Sequence, residues 1–169
     1  NVAVNGSGNV TQTMSDGDTL YVGRMSAVQP VAGVVRVSDN SDYRRLGYSS
    51  IPVAGTTVWL PFVMTRLGND WGAAIWIQNT TGTGSTVYLD FYQNGARSGG
   101  GSVWLPANGL IPINLRTDYA QYGLPAGWFG SAKVTANVAV AVVVNQLNDS
   151  AHLGTSYEGI PNSVGSTKV

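Results

Sequence analysis

The side chains of a hydrolytic relay occur together once in this sequence, in "NDSAHLG", where Asp149, Ser150 and His152 are near neighbours. His152 is the single histidine of the chain. A relay needs its base stacked between a nucleophile and an orienting acid, and residues two or three apart in one loop cannot reach that arrangement. His152 is therefore expected to be a solvated loop residue. Paired-carboxylate hydrolysis needs two acids facing one cleft. The chain has one glutamate, Glu158, and its aspartates sit in turn-like contexts. The absence of cysteine removes thiol chemistry and any disulfide framework. These inventories point away from an enzyme and from a bound cofactor.

Two short acidic stretches carry metal-like spacing. "SDGDT" sets Asp16 and Asp18 around Gly17, and "SDNSDY" holds Asp39 and Asp42. Calcium loops use such spacing but need further oxygen ligands and usually a later glutamate. A turn in which Asp16-Gly17 supplies the positive-φ position explains the first stretch as well. The four aspartates are thus calcium candidates set against a turn reading that is preferred.

The aromatic residues carry more information. There are five tryptophans: Trp59, Trp71, Trp76, Trp104 and Trp128. With Tyr88, Tyr92, Tyr119 and Tyr122 they could form a platform that stacks on sugar rings, or they could serve core and inter-subunit packing. Trp59, Trp71, Trp104, Tyr119 and Tyr122 are the candidates for contact with a ligand or a partner. Trp71 and Trp76 are five apart and face opposite sides of a regular strand, which predicts one in the core and one at a surface. Lys133, between Ala132 and Val134, is expected to point outward rather than to form an isopeptide bond. Asn5, Asn9, Asn79 and Asn148 each open a glycosylation sequon.

The elements that must position these residues are strands. "WGAAIWIQN" (71–79), "STVYLDFYQ" (85–93), "SVWLP" (102–106), "GLIPINL" (109–115), "FGSAKVTA" (129–136) and "VAVAVVVNQL" (138–147) are rich in β-branched or aromatic residues and bounded by Gly, Asn, Asp or Pro. "VWLPFVM" (58–64) joins them. In "TVYLDFYQ", Val87, Leu89 and Phe91 fall on one face and Tyr88, Asp90 and Tyr92 on the other, the pattern of a half-buried antiparallel strand. "VAVAVVV" is apolar on both faces, as a central strand would be. Asn94-Gly95 signals a hairpin, with its second strand delayed by the glycine run that follows. Pro61, Pro106 and Pro112 predict edges or bulges. "DYAQYGLPAGW" (118–128) reads as an irregular link with room for one helical turn.

Of the 169 residues, 43% are hydrophobic and 11% charged, against roughly 25% charged in an average soluble protein. Nine basic and nine acidic residues cancel, leaving no field to hold a phosphate backbone, so nucleic acid is excluded as a partner. The longest apolar run, Val138 to Val144, is strand-sized and too short for a membrane helix, so no membrane insertion is expected. The first residue is Asn1, as expected of a chain whose leader has been removed or of a piece of something longer.

One phrase occurs twice. "PVAGVVRVSDNSDYRRLGYSSIPVAGTTV" (30–58) is similar to "NVAVAVVVNQLNDSAHLGTSYEGIPNSVGSTKV" (137–169), with an offset of about 107 residues at the Val-rich strand and about 110 at the turn. A period of that length is the size of one immunoglobulin-like sandwich. Residues 58–169 are read as one complete unit and residues 1–57 as a partial or smaller β unit, with the boundary at the turn over 53–57.

The pattern "VWLPFVM…DWGAAIWIQN…GSAKVTA…VAVAVVVNQ" resembles a tandem β-sandwich repeat of secreted bacterial surface and filament proteins. The resemblance covers Val58 to Leu147 and, in part, Gly23 to Val37. It implies an all-β, antiparallel, Ig-like sandwich, an extracellular or cell-surface location, and a structural or adhesive role with no active site to transfer. The expected function is a self-assembling subunit of a surface filament, sheath or adhesive stalk. Its partners would be other copies in a head-to-tail arrangement, because the chain stops where its own repeat calls for "WLP". A carbohydrate-binding module using exposed Trp and Tyr, with glycans as partners, is the alternative.

Overall fold

The computed structural model describes residues 34–38, 45–49, 53–68 and 70–163, and the described chain is all-β. Its strands are β1 (Val34–Ser38), β2 (Arg45–Ser49), β3 (Gly55–Met64), β4 (Trp71–Asn79), β5 (Ser85–Gln93), β6 (Ala96–Leu105), β7 (Leu110–Asn114), β8 (Phe129–Asn148), β9 (Leu153–Glu158) and β10 (Ile160–Pro161). One 3-10 turn, Tyr119–Tyr122, lies in the link where a single helical turn was expected. Every strand pairing is antiparallel.

The twenty-residue β8 organises the rest. Near its start, Lys133 lies between Trp59 of β3 and Asp90 of β5; near its end, Val143 lies between Trp76 of β4 and Glu158 of β9. One half-sheet therefore runs β10-β3-β8-β5-β6 and the other β7-β4-β8-β9, with β8 central to both. The sequence predicts two strands here, 129–136 and 138–147. Asn137 is exposed, yet it does not break the run: Ala132, Val134, Ala136, Val140, Val142 and Val144 all turn inward, so one alternation persists through the junction. Those residues join Val58, Leu60 and Val63 of β3, Ala73, Ile75 and Ile77 of β4, and Val87, Leu89 and Phe91 of β5 in a single core. The two half-sheets thus bury their inner faces against common residues, an arrangement consistent with a sandwich.

Two differences from expectation have clear causes. β6 is not delayed by glycines; it starts directly after Asn94-Gly95, whose φ angles of 52° and 78° fit the two-residue hairpin turn with both central residues left-handed. The glycines lie inside the strand because the link over 119–128 packs across it. A Cβ on Gly99 would sit 2.2 Å from the carbonyl oxygen of Tyr122, and one on Gly101 would sit 2.9 Å from the Tyr122 ring. Residues 55–57, read as a repeat-boundary turn, instead open β3. The proline readings fit the strands: the β3–β8 register slips between Leu60 and Val63, around Pro61, and Pro112 lies in β7, at the end of its half-sheet.

Two buried polar residues fasten the connections. Thr65 donates its hydroxyl to the carbonyl of Pro125 at 2.8 Å and accepts the N–H of Trp128 at 2.9 Å, which seats Trp128 edge-on against Phe91 in the core. Asn79 donates to the carbonyls of Thr83 and Pro106 at 2.7 and 3.0 Å and accepts from the N–H and hydroxyl of Thr81 at 2.9 and 2.8 Å. Its sequon is thus occupied by fold-holding hydrogen bonds. Asn148 is also buried.

β1 and β2 form an antiparallel pair, and β2 lies along β9: Ser156 donates to the carbonyl of Gly47 at 2.8 Å, Ser49 donates to Glu158, and Leu46 packs where Gly154 has no side chain. Within the similar phrases, Tyr48 stands opposite Val35 and Tyr157 opposite Val144. The proposed match of Ile51-Pro52 with Ile160-Pro161 lies outside the described residues.

Gly99→Ala is expected to lower stability by about 1–3 kcal/mol, because the new methyl must displace the backbone of the 119–128 link. Gly82→Ala, with open space around its Cα, is the control and should be near neutral. Urea denaturation of both variants checks the difference; equal stabilities would contradict this account of the glycine run.

Candidate functional site

The alternation that buries Val87, Leu89 and Phe91 sends Tyr88, Asp90 and Tyr92 to the outer face of the first half-sheet. By the same rule β8 presents Lys133 and Thr135 there, and β3 presents Trp59. Register then aligns Trp59, Lys133, Asp90 and Gly100 in one row across four strands. Lys133 Nζ lies 3.1 Å from Asp90 Oδ2, and Arg97 Nε donates to Asp90 Oδ1 at 2.8 Å. The ammonium also lies 5.9 Å from the centre of the Trp59 ring and 5.8 Å from that of Tyr92, within cation–π reach of both. The Trp59 indole N–H donates to Asn162 Oδ1 at 3.3 Å, so a ring facing solvent is held from two sides.

These pairings shift the charges in opposite directions. The Arg97 hydrogen bond, aided by that of Lys133, holds the Asp90 carboxyl below its usual range against a smaller opposing effect of burial. The hydrogen bond to Asp90, followed by that to Tyr92, raises Lys133 above the ordinary lysine value.

The slip in β3 aims another ring outward. Phe62 directs its carbonyl inward, where it accepts from Gln146 Nε2 at 3.1 Å and from the Tyr157 hydroxyl, while its ring is exposed beside that of Phe129, centroids 6.4 Å apart. Burial pushes the Tyr157 phenol well above its ordinary value, so it remains a donor to that carbonyl. Trp59, Phe62, Tyr92 and Phe129 line an open groove of about 550 Å³ with Gln93 and Asn94 at its rim. Farther along the same outer face, Tyr88 is 53% and Trp104 61% exposed. Clusters of large exposed apolar side chains over the outside of a half-sheet, here on either side of the Lys133–Asp90–Arg97 charges, mark a contact surface.

Of the aromatic candidates, Trp59 and Trp104 belong to this face. Trp71 is half-buried at the start of β4 on the side of Ala73 and Ile75, and Trp76 is half-buried on the opposite side. Tyr119 packs partly buried against the core. Tyr122 is itself a core residue, edge-on to Phe91, and is withdrawn from any surface contact. Asp16, Asp18, Asp39 and Asp42 lie outside the described residues. Among the described residues, no group of three or more His, Cys, Asp or Glu side chains could hold a metal. Near the solvent-exposed His152, the Asp149 carboxylate is bound by Arg116, which also reaches Asp70 at 3.1 Å, and the Ser150 hydroxyl is directed to Asp70. No local signal in the sequence marks Arg97, Phe62 or Phe129 for this face. Alternation alone places Asp90 between two outward tyrosines, but its partners depend on register.

No family model matches the sequence, and no curated protein does. Among solved structures, the crystal structure of Thermotoga maritima 1070 superposes with a TM-score of 0.52 at 12% identity, over 64% of this chain and 96% of that one. The Anabaena sensory rhodopsin transducer superposes with a TM-score of 0.45 at 14% identity, over 55% of this chain and 97% of that one. The likeness to the Thermotoga protein is one of fold alone.

The shifted charges define a pH test. A carboxylate with a lowered pKa stabilises the fold above its unfolded pKa, and that contribution disappears as pH falls through the folded value. Lys133 contributes below its unfolded pKa and loses its contribution as pH rises through the raised folded value. Asp90→Asn is therefore expected to cost up to about 1 kcal/mol at neutral pH, since the network is partly exposed. The deficit should vanish in acid once wild-type Asp90 is protonated. Urea denaturation of both proteins along a pH series measures this; a deficit that persists undiminished in acid would refute the charge assignment.

Proposed function

We propose that this chain is a non-catalytic, extracellular structural module whose copies associate through the outer aromatic face of the β10-β3-β8-β5-β6 half-sheet, as a subunit of a surface filament, sheath or adhesive stalk. The observation that carries this reading is the exposure of Trp59, Phe62, Tyr88, Trp104, Phe129 and Ile160. A solvated face normally alternates these positions with polar residues. Here large apolar rings flank the Lys133–Asp90–Arg97 charges, and Trp59 is held in place, so little side-chain freedom would be lost on docking. The charges within the face support a non-catalytic role, because Asp90, Lys133 and Arg97 are committed to one another. The low overall charge suits a surface made to be covered by neighbours.

Ring orientation favours a protein partner over a sugar. Trp59 and Tyr92 are tilted by 43° and Phe62 and Phe129 by 52°. Neither pair forms the flat platform on which adjoining sugar rings would stack.

Sedimentation velocity over a wide concentration range tests the reading. The wild-type mass should rise with concentration. The double variant Trp59→Ser/Phe62→Ser should associate far more weakly, since a buried aromatic anchor is worth about 2 kcal/mol or more at an interface. Wild-type protein that stays monomeric throughout would overturn the proposal. Retention of that monomer on an insoluble polysaccharide, lost on replacing Trp59, would assign the face to glycans instead.

A further inference from the structure

An open strand edge is a row of unpaired N–H and C=O groups, and folded chains blunt such edges by shortness, proline, charge or cover. Most edges described here are blunted in one of these ways. β10 has two residues and ends in Pro161, and β7 is five residues long and contains Pro112. The outer edge of β3 carries β10 and is interrupted around Pro61. β9 has β2 beside it, and β1 is again only five residues long. β6 differs. It has ten residues, no proline, no lysine and no acidic residue. Among the described residues it pairs with β5 alone, and no backbone hydrogen bond beyond that ladder involves it.

We propose that β6 is the strand through which two copies of this chain join, antiparallel, about a two-fold axis centred on Gly101. The inference rests on the self-association reading and adds to it a second contact at a defined place. Facing residues in an antiparallel pair point to the same side, so the register must preserve the alternation of β6. A two-fold at Gly101 does so: Gly101 faces Gly101, Gly100 faces Ser102, and Gly99 faces Val103. No large side chain meets another at the centre of this pairing.

The charges also fit. The only charged residue of β6 is Arg97. The β5–β6 register slips between Phe91 and Tyr92, leaving Ser98 as the extra residue and bringing Arg97 to the outer face with Trp104. In the proposed pairing Trp104 of each copy comes to lie across from the Arg97–Ser98 bulge of the other. A guanidinium then faces an indole rather than a like charge. The joint also makes the two outer aromatic faces continuous. If the edge contact alternates with a face contact, assembly remains open-ended without a head-to-tail joint.

The test is the double variant Ser98→Lys/Ser102→Lys. Both serines are exposed. In this register the new lysine replacing Ser102 in one copy would lie diagonal to those replacing Ser102 and Ser98 in the other, within reach of long side chains. Like charges thus gather at the axis while the aromatic face of Trp59 and Phe62 is left intact. Circular dichroism and the thermal midpoint establish that the variant folds. The expected result is association weakened by about tenfold or more, as like charges set against each other at a strand edge imply. In the wild type, hydrogen exchange at the β6 amides should slow as concentration rises. If the wild type associates, the variant associates equally well and β6 exchange is indifferent to concentration, the edge contact is wrong and the face reading survives. If the wild type never associates, both are wrong.

Discussion

A strand that is central to two half-sheets must be apolar toward the core where it crosses it and must take partners on both edges. β8 meets that demand from Ala132 to Val144, before the buried polar Gln146 and Asn148 near its end, and the rest of the described architecture depends on it. Its unbroken alternation from Ala132 to Val144 keeps both inner faces directed into one core. Because β3 and β5 flank its start while β4 and β9 flank its end, the outer face that carries Trp59, Asp90 and Tyr92 exists only where β8 supplies Lys133 between them. A polar residue on the inward side of β8 between Ala132 and Val144 would strip the core and misplace this face together.

Polar groups hold the connections by the complementary rule that a buried hydrogen-bonding group must be satisfied. Asn79 and Thr65 are fully buried, and both spend their side chains on loop backbone. In the first case a loop is closed over the end of the core; in the second a tryptophan is seated within it. The glycine run in β6 belongs to the same economy of space: side chains are absent where the Tyr119–Trp128 link must lie close, and the strand continues regardless.

Local alternation was legible wherever burial on one face controls residue choice. "STVYLDFYQ" displays its buried and exposed faces directly, and the bounds of β4 and β5 coincide with the apolar runs. Asn94-Gly95 and Pro112 carry their backbone consequences in their own chemistry. Legibility ended where a position answers to something distant. Asn137 looked like the end of a strand because its partner strands are invisible in sequence. The glycines of β6 looked like a delay because Tyr122, the reason for them, is more than twenty residues away. The candidate site was half legible for the same reason. Tyr88, Asp90, Tyr92 and an outward Lys133 follow from alternation, whereas the row Trp59–Lys133–Asp90 is fixed by registers between strands far apart in the chain.

The position of β8 along the chain also dictates an order of events during synthesis. β3, β4 and β5 all emerge before the strand they share, and none of them can complete its pairing until residues 129–148 are available. Until then the chain can form the Asn94-Gly95 hairpin and the β4–β7 pair, but it cannot close the core. Closure therefore waits on contacts of long sequence separation, the class that folds slowly because loop entropy is lost before burial rewards it. In that interval the same aromatic strands that end on the outer face are exposed together with those destined for the core. Any machinery that handles the nascent chain meets both sets undifferentiated, and the arrival of β8 separates them.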